Sequence, residues 1–476
     1  MTADHSRLRR TMTAAAGVAV AASLAVAGGS AAAKPTAPGQ SAAPGQATQH
    51  PNAKPFEAMT QNLYLGADVG VALDLLPDVP AAAQFMWDEV AATDFPSRAP
   101  KLAGIAARYA PDVIGLQEAT IWRCQKNALS PTIEIFNFTD EYLQATEDAG
   151  VPYVIAESGG EQAFNPGFSI GPIPGLSVVY DPDTFQPIFG QDTATCGFQM
   201  ADALLVRADL AGQVTAVGQN DYDRQLGIPG LVDIVRGYAW ADLTVSGNDV
   251  RFVTTHLESL WTPNEVTAAG DQARQLTAEL SGVTKPLVVM GDFNSDPRDP
   301  RPAGAPNPGG QPEGSDACPA QVSDPTVATA NSECNSYWVM RQAGYADASP
   351  NVFDPMNYTW GSQSELAGPD SRRVDAALAM GNPYGFTDRL DYIFTKNGTT
   401  LKSKNSPQIL GNVWPYSADN WTCENTDTQV SNTEAMSAVL SGAGVIGAPV
   451  TGTGVCFPTD HAGVVSELRV IPGQQK

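Results

Sequence analysis

Val288, Val289 and Met290 run without a break into Gly291-Asp292-Phe293-Asn294, and no other stretch narrows so far what this chain can fold into. A short apolar run of strand formers bounded by turn residues reads as a buried strand of an α/β layer. Where it ends, an acid and an amide stand two positions apart. On an extended chain Asp292 and Asn294 share one face while Phe293 takes the other and anchors it. The same string also fits a strand followed by an Asx-type turn, a structural device without chemistry.

Repetition of the form weighs for chemistry. Residues 56–65, closed by Gly66, are strand-like and carry Asn62 near their end, although an asparagine there is as readily a turn former. Ser97 opens a helix with Leu102, Ile105, Ala106 and Tyr109 on one face, Pro111 stops it, and the short apolar strand 112–118 ends on Glu118. Residues 237–245 and 250–257 read as a hairpin about a turn at 246–249, and its returning strand ends on His256. An amphipathic helix over 265–280 then delivers the chain to Leu287. Near the end, Thr459-Asp460-His461 immediately precedes a closing strand at 464–470. Between these come helices at 139–149 and 336–342 and strands at 153–157, 176–180, 202–207, 358–360 and 390–394. Of four histidines, His5 and His50 precede the folded part, so both histidines within it, His256 and His461, lie at strand ends of this kind.

Ahead of the folded part stand two segments of different character. Residues 1–33 have the basic region, apolar block and small-residue site of an export signal, with Arg9-Arg10 the pair that twin-arginine signals carry. The apolar block is too short for a membrane span of ~20 residues. Residues 34–55 are Pro, Ala, Gly, Gln and Ser, a composition that buries too little surface to order itself and reads as a tether. Three arginines and one aspartate leave with the leader, which moves the formal charge from −24 to −26. Such a field repels polyanions at long range and keeps a secreted protein soluble. Six cysteines in an exported chain read as disulfides, with local closure pairing Cys318 to Cys334 and Cys423 to Cys456 and leaving Cys124 to Cys196.

Taken together, Thr60-Gln61-Asn62-Leu63, Leu116-Gln117-Glu118, Thr255-His256-Leu257, Gly291-Asp292-Phe293-Asn294, Leu390-Asp391-Tyr392-Ile393 and Asp460-His461 resemble the strings of the endonuclease/exonuclease/phosphatase superfamily, in that family's order. The resemblance implies an α/β fold, a four-layered sandwich of two packed mixed sheets flanked by helices. It spans one catalytic domain over 56–472, with inserts near 297–332 and 403–458. It also implies that Glu118, helped by Asn62 and Asp460, holds a hard divalent cation, Mg²⁺ before Mn²⁺ or Ca²⁺. His461, oriented by Asp391, and Asp292 are then the two candidates for activating the attacking water. Asn294 would donate to the phosphate, His256 would stabilise the pentacovalent state or protonate the leaving oxygen, and Arg236 would face the phosphate. Arg372-Arg373-Val374-Asp375 is a second string that offers the histidine an acidic partner.

The expected function is a secreted, metal-dependent phosphoric ester hydrolase, a phosphodiesterase or phosphatase with phospholipid headgroups among its possible substrates. An extracellular, deoxyribonuclease-like endonuclease is the alternative. The acidic charge opposes nucleic acid as a partner, while Lys396, Lys402 and Lys404 beside the site would form a small basic groove for it. Trp414, Tyr416 and Trp421 would give contact with a lipid surface. The third reading is a binding module that has lost its chemistry; a monomer is expected in each case.

Overall fold

Alternation along the first strand, β1 (Phe56–Asn62), divides the molecule: Phe56 and Ala58 enter one apolar cluster and Met59 enters another. The computed structural model describes residues 54–471 except 182–183, 185, 229–231, 262–264, 307–312, 362–365, 367–372, 413–415, 418–421, 424–439, 446 and 448–456. The leader and nearly all of the tether lie outside the described residues, as do Trp414, Trp421, the Tyr416 side chain and Cys456.

After β1 come helices α1 (Val69–Asp74), α2 (Val79–Thr93) and α3 (Phe95–Tyr109), then β2 (Val113–Gln125), β3 (Ile133–Asn137), α4 (Phe138–Asp148), β4 (Tyr153–Ile155), β5 (Phe164–Ser177) and β6 (Thr193–Arg207). Next are β7 (Val214–Asp221), β8 (Gly237–Val245), β9 (Asn248–His256), α5 (Ala268–Glu279), β10 (Leu287–Asp292), α6 (Ser336–Gln342), β11 (Ala346–Asp347), α7 (Val374–Met380) and β12 (Asp391–Lys396). The last are β13 (Thr399–Leu401), β14 (Gln408–Leu410) and β15 (Gly463–Val470). One nine-stranded sheet runs β13–β15–β1–β2–β6–β4, with β14 on β15, β3 on β2 and β5 on β6. A six-stranded sheet runs β11–β12–β10–β9–β8–β7. Both are mixed, because β1 with β2 and β9 with β10 are parallel and their other pairs antiparallel.

Four layers follow from which face each apolar side chain takes. Phe56, Val113, Leu204, Phe252, Val288, Met290, Ile393 and Leu468 form the core between the sheets. Leu102 and Ala106 of α3, with Trp87 and Val90 of α2, pack on the outer face of the first sheet. Ala273 and Leu276 of α5 and Trp338 of α6 cover Val289, Phe293 and Phe394 on the outer face of the second. The sheets approach closely at Gly115, where an added Cβ would stand 2.7 Å from Thr254 Oγ1 and 2.9 Å from Met290.

Several expectations are corrected here. Residues 358–360 form no strand; Trp360 makes only isolated bridges, because two buried loops meet there. Of the strand expected at 176–180 only Leu176 and Ser177 are strand, the end of β5, whose glycines and prolines hide its length, and Tyr180 makes an isolated bridge to Pro187. Helix α2 was missed although Asp78 caps it, accepting from Ala81 N at 3.1 Å, and a proline stands in its first turn. Among the disulfides, Cys124–Cys196 and Cys318–Cys334 form as expected; the pairing of Cys423 with Cys456 falls outside the described residues.

One packing detail has a measurable consequence. Asp88 of α2 accepts from Gln84 Nε2 at 2.7 Å and Tyr180 OH at 2.8 Å. Burial nevertheless lifts its carboxyl to about 6. An acid held above its ordinary value makes stability fall as pH rises from about 4 through 6, and the penalty stays constant above that. Asp88→Asn keeps both acceptor contacts and should raise the Tm by about 2–4 °C at pH 8 with no gain at pH 4, as read by calorimetry.

Candidate active site

The parity that sends Val288 and Met290 into the space between the sheets also sends Asp292 there, at the open end of that layer. Its registered neighbours are His256 on β9 and Asp391 on β12, so three adjacent strands present an imidazole and two carboxylates in one row. Gly291 is required in that row, since a Cβ there would lie 2.0 Å from Thr255 O. Beyond Asp292 the chain leaves the extended form: Asn294 has φ 46°, and its N–H donates to Asp292 Oδ1 at 2.9 Å. The expectation that both side chains share one extended face is therefore wrong. The Asx turn is present, and it fixes the aspartate. The Asn294 amide donates to Leu257 O at 2.8 Å.

The opposite sheet supplies the rest. Asn62 follows Phe56, Ala58 and Thr60 toward the interior, whereas strict alternation would turn Glu118 away from it, since Gln117 bonds Thr60 and Thr254 there. A bulge resolves this: pairing of β2 with β6 shifts between Leu116 and Ala119, and Glu118 has φ 57°. Glu118 consequently accepts from Asn62 Nδ2 at 3.0 Å and from Leu65 N at 2.6 Å. Asn62 Nδ2 also lies 3.2 Å from Asp292 Oδ2, and the side-chain Oδ1 of Asn62 accepts from the Tyr64 N–H at 2.8 Å. One asparagine thus ties together a carboxylate from each sheet.

Two histidines converge on this centre. His461 Nδ1 lies 2.9 Å from Asp391 Oδ2, and its Nε2 is 3.6 Å from Asp292 Oδ2. His256 Nε2 is likewise 3.6 Å from Asp292 Oδ2 and 3.9 Å from Glu118 Oε1. Its Nδ1 faces Arg236 Nη1 at 2.9 Å, and Arg236 Nε pairs with Glu258 at 3.4 Å. The two rings are driven apart in acidity. Burial lowers both, and for His256 the neighbouring Arg236 and His461 lower it further. For His461 the carboxylates of Asp391, Asp292 and Asp460 outweigh burial and raise it well above the ordinary range. Since Arg236 can only donate, His256 accepts at Nδ1 and carries its proton on Nε2, toward the acids.

The acids themselves are held high. Burial, followed by like charge, raises Asp292 and Asp460; Asp202, facing Arg236 and Glu118, is pushed up to about 8. Asp460 Oδ2 accepts from Trp360 Nε1 at 3.2 Å, while its Oδ1 and that of Asp391 are buried without hydrogen-bond partners. Asp292, Asp391 and His461 can bring ligand atoms within 4.8 Å of one another. Crowded carboxylates with unpartnered oxygens fit a hard divalent cation, which prefers oxygen ligands and would reverse the repulsion among them.

All the anticipated residues, Asn62, Glu118, Arg236, His256, Asp292, Asn294, Asp391, Asp460 and His461, fall within this one region. Asp391 is the acid paired with His461, while Asp375 lies on α7 and the Arg373 guanidinium pairs with Asp388. The basic groove does not form beside the site. Lys396 ends β12, five residues and roughly 17 Å of strand from Asp391, and donates to Ala343 O. Lys402 pairs with Glu467, also at the far end of the sheets. Sequence reasoning missed Asp202, Glu258, Trp360 and Arg98. Asp202 stands on a recognised strand, but nothing local marks it, because its partners come from other strands.

The sequence profile of the Endonuclease/Exonuclease/phosphatase family matches residues 59–423. No curated protein sequence matches the chain. Among solved structures, an endonuclease/exonuclease/phosphatase family protein of Bacteroides thetaiotaomicron is 14% identical, covers 88% of this chain and 99% of its own, and has a TM-score of 0.40. A mannosyl-6-phosphatase of the same organism is 14% identical over 87% and 99%, with a TM-score of 0.37. Truncated TDP2 of Caenorhabditis elegans is 12% identical over 88% and 98%, also at 0.37. At these levels of identity and similarity no substrate passes from them to this chain.

Proposed function

The chain belongs to the endonuclease/exonuclease/phosphatase family, whose members are phosphoester hydrolases, and on that premise we propose a secreted, divalent-cation-dependent phosphodiesterase or phosphatase. The observation that carries the reading is the convergence of two imidazoles, each 3.6 Å away, on Asp292 Oδ2, with their outer nitrogens held by Asp391 and Arg236. Glu118 and Asp460, with Asn62 beside them, are the residues that would hold the cation. When bound, that ion supplies charge neutralisation at a phosphate oxygen and at the leaving group.

The chain's own groups divide the remaining work. Because the carboxylates around it hold His461 protonated at neutral pH, the ring acts in its deprotonated form at higher pH: oriented through Nδ1 by Asp391, it then takes the proton of the attacking water at Nε2, and Asp292 orients that water from its fixed position between the rings. His256, kept neutral with its proton on Nε2, donates a hydrogen bond to a phosphate oxygen as negative charge develops there. Arg236 adds a buried positive charge behind it. Asn294 spends one amide hydrogen on Leu257 and retains the other for the phosphate. An export leader and two disulfides support a location outside the cell.

The nuclease alternative loses support once the lysines leave the site, which favours a compact phosphate ester of low charge over long nucleic acid. Purified mature protein should be offered plasmid DNA, sphingomyelin and an inositol phosphate in parallel, with and without chelator. Cation-dependent release from sphingomyelin or inositol phosphate, with the plasmid intact, is expected. Plasmid nicking alone would replace this reading with the endonuclease, and turnover unaffected by chelator would remove the cation from it.

A further inference from the structure

Arg98, in the first turns of α3, is fully buried, yet its bonds go to backbone carbonyls instead of a carboxylate. Nη1 donates to Leu63 O at 2.7 Å and Pro458 O at 2.8 Å, Nη2 to Tyr64 O at 3.1 Å, and Nε to Thr93 O at 2.8 Å. The guanidinium centre lies 4.9 Å from the Phe95 ring centroid and 5.7 Å from that of Phe138. Burying a charge with no carboxylate in direct contact is costly, and burial pulls its acidity constant down to about 10 although Asp460, Asp94 and Glu141 oppose the shift from farther off. What the charge holds explains its place.

Leu63 and Tyr64 directly follow Asn62. The Tyr64 N–H donates to Asn62 Oδ1, and the next N–H, that of Leu65, donates to Glu118 Oε2. On the other side, Pro458 stands two residues before Asp460. Thr459 Oγ1, between them, donates to Asn62 O at 2.9 Å and accepts from His461 N at 3.3 Å. A single planar fork therefore joins the turn that orients Asn62 and Glu118 to the turn that carries Asp460 and His461, where Thr459 stands 397 residues along the chain from Asn62. Lysine, with one nitrogen, cannot occupy those four carbonyls together.

We infer that Arg98 is a positioning residue that sets the spacing of Glu118 and Asp460, and through it the affinity of the site for a divalent cation. The inference rests on the cation reading above. Its test is Mn²⁺ binding to the purified protein, followed by the electron paramagnetic resonance of the free ion. In Arg98→Lys the dissociation constant for Mn²⁺ should rise about tenfold or more, as when supports of metal ligands are removed. Phe138→Leu, which thins the stack beneath the guanidinium without touching its bonds, should lower the Tm and leave Mn²⁺ affinity unchanged.

Parental Mn²⁺ affinity in Arg98→Lys, with only a lowered Tm, would overturn the inference. Should that variant not fold, the same coupling can be read in the parent, because linkage is reciprocal. Saturating Mg²⁺ should then slow hydrogen exchange at Arg98 Nε at least about tenfold by nuclear magnetic resonance; unchanged exchange overturns it. A parent protein that binds no Mn²⁺ at all would instead remove the cation reading, and this inference with it.

Discussion

Replacing His461 with alanine is expected to lower kcat on a generic aryl phosphodiester by about 100- to 10,000-fold, with KM changed much less. The ring is buried beside Trp360, and both its nitrogens face carboxylates. Nδ1 lies 2.9 Å from Asp391 Oδ2, and Nε2, 3.6 Å from Asp292 Oδ2, is the nitrogen that accepts the water's proton once the ring is deprotonated. Asp391→Asn should fall in between, because an amide still meets Nδ1 but no longer supplies the charge that stabilises the imidazolium. Steady-state kinetics with a Tm for each variant decides the matter. Unchanged turnover by His461→Ala in a folded protein would refute the proposed base.

The second large effect belongs to Glu118→Gln. Glutamine's one oxygen can still accept from Leu65 N, so the bulge at φ 57° keeps that support and gives up only the hydrogen bond from Asn62 Nδ2. What disappears is a negative charge from a site whose acids already repel one another, Asp460 and Asp202 among them. Opposite consequences follow for binding and stability. Apparent affinity for Mg²⁺ should fall about 100-fold, with activity partly restored at millimolar cation. In chelator the variant should melt higher than the parent, since the repulsion is relieved where no cation offsets it. Cation titrations and paired melting curves read both. A variant that matches the parent in cation affinity would move the cation away from Glu118.

These variants concern residues that could be picked out one at a time. Apolar runs ending on a single polar residue can be read locally, because strand burial and the two-residue alternation act within a few positions. Glu118 shows where that reading stops: its identity was visible, but alternation alone turns it away from the site, and only the bulge against β6 turns it in. Asp292 shows the same limit differently. Both the site and the Asx turn were legible as alternatives, and the structure contains both, since the turn's hydrogen bond to Asn294 N is what immobilises the catalytic candidate. Lys396 and Lys402 failed as evidence for a groove because Lys396 rides β12 away from the site and Lys402, in the loop after β13, pairs with Glu467.

By itself the sequence determined the layered α/β class, the order of the strand ends and the residue types gathered there, since these depend on short-range patterning and on six strings in a fixed order. The tertiary structure alone decided which acid serves which histidine. It also decided that Arg236 and Asp391 set the two imidazoles to opposite protonation, and that Arg98 and Asp202 stand behind the site. Those outcomes depend on burial and on partners from different strands and loops, up to 360 residues apart, which no local pattern records.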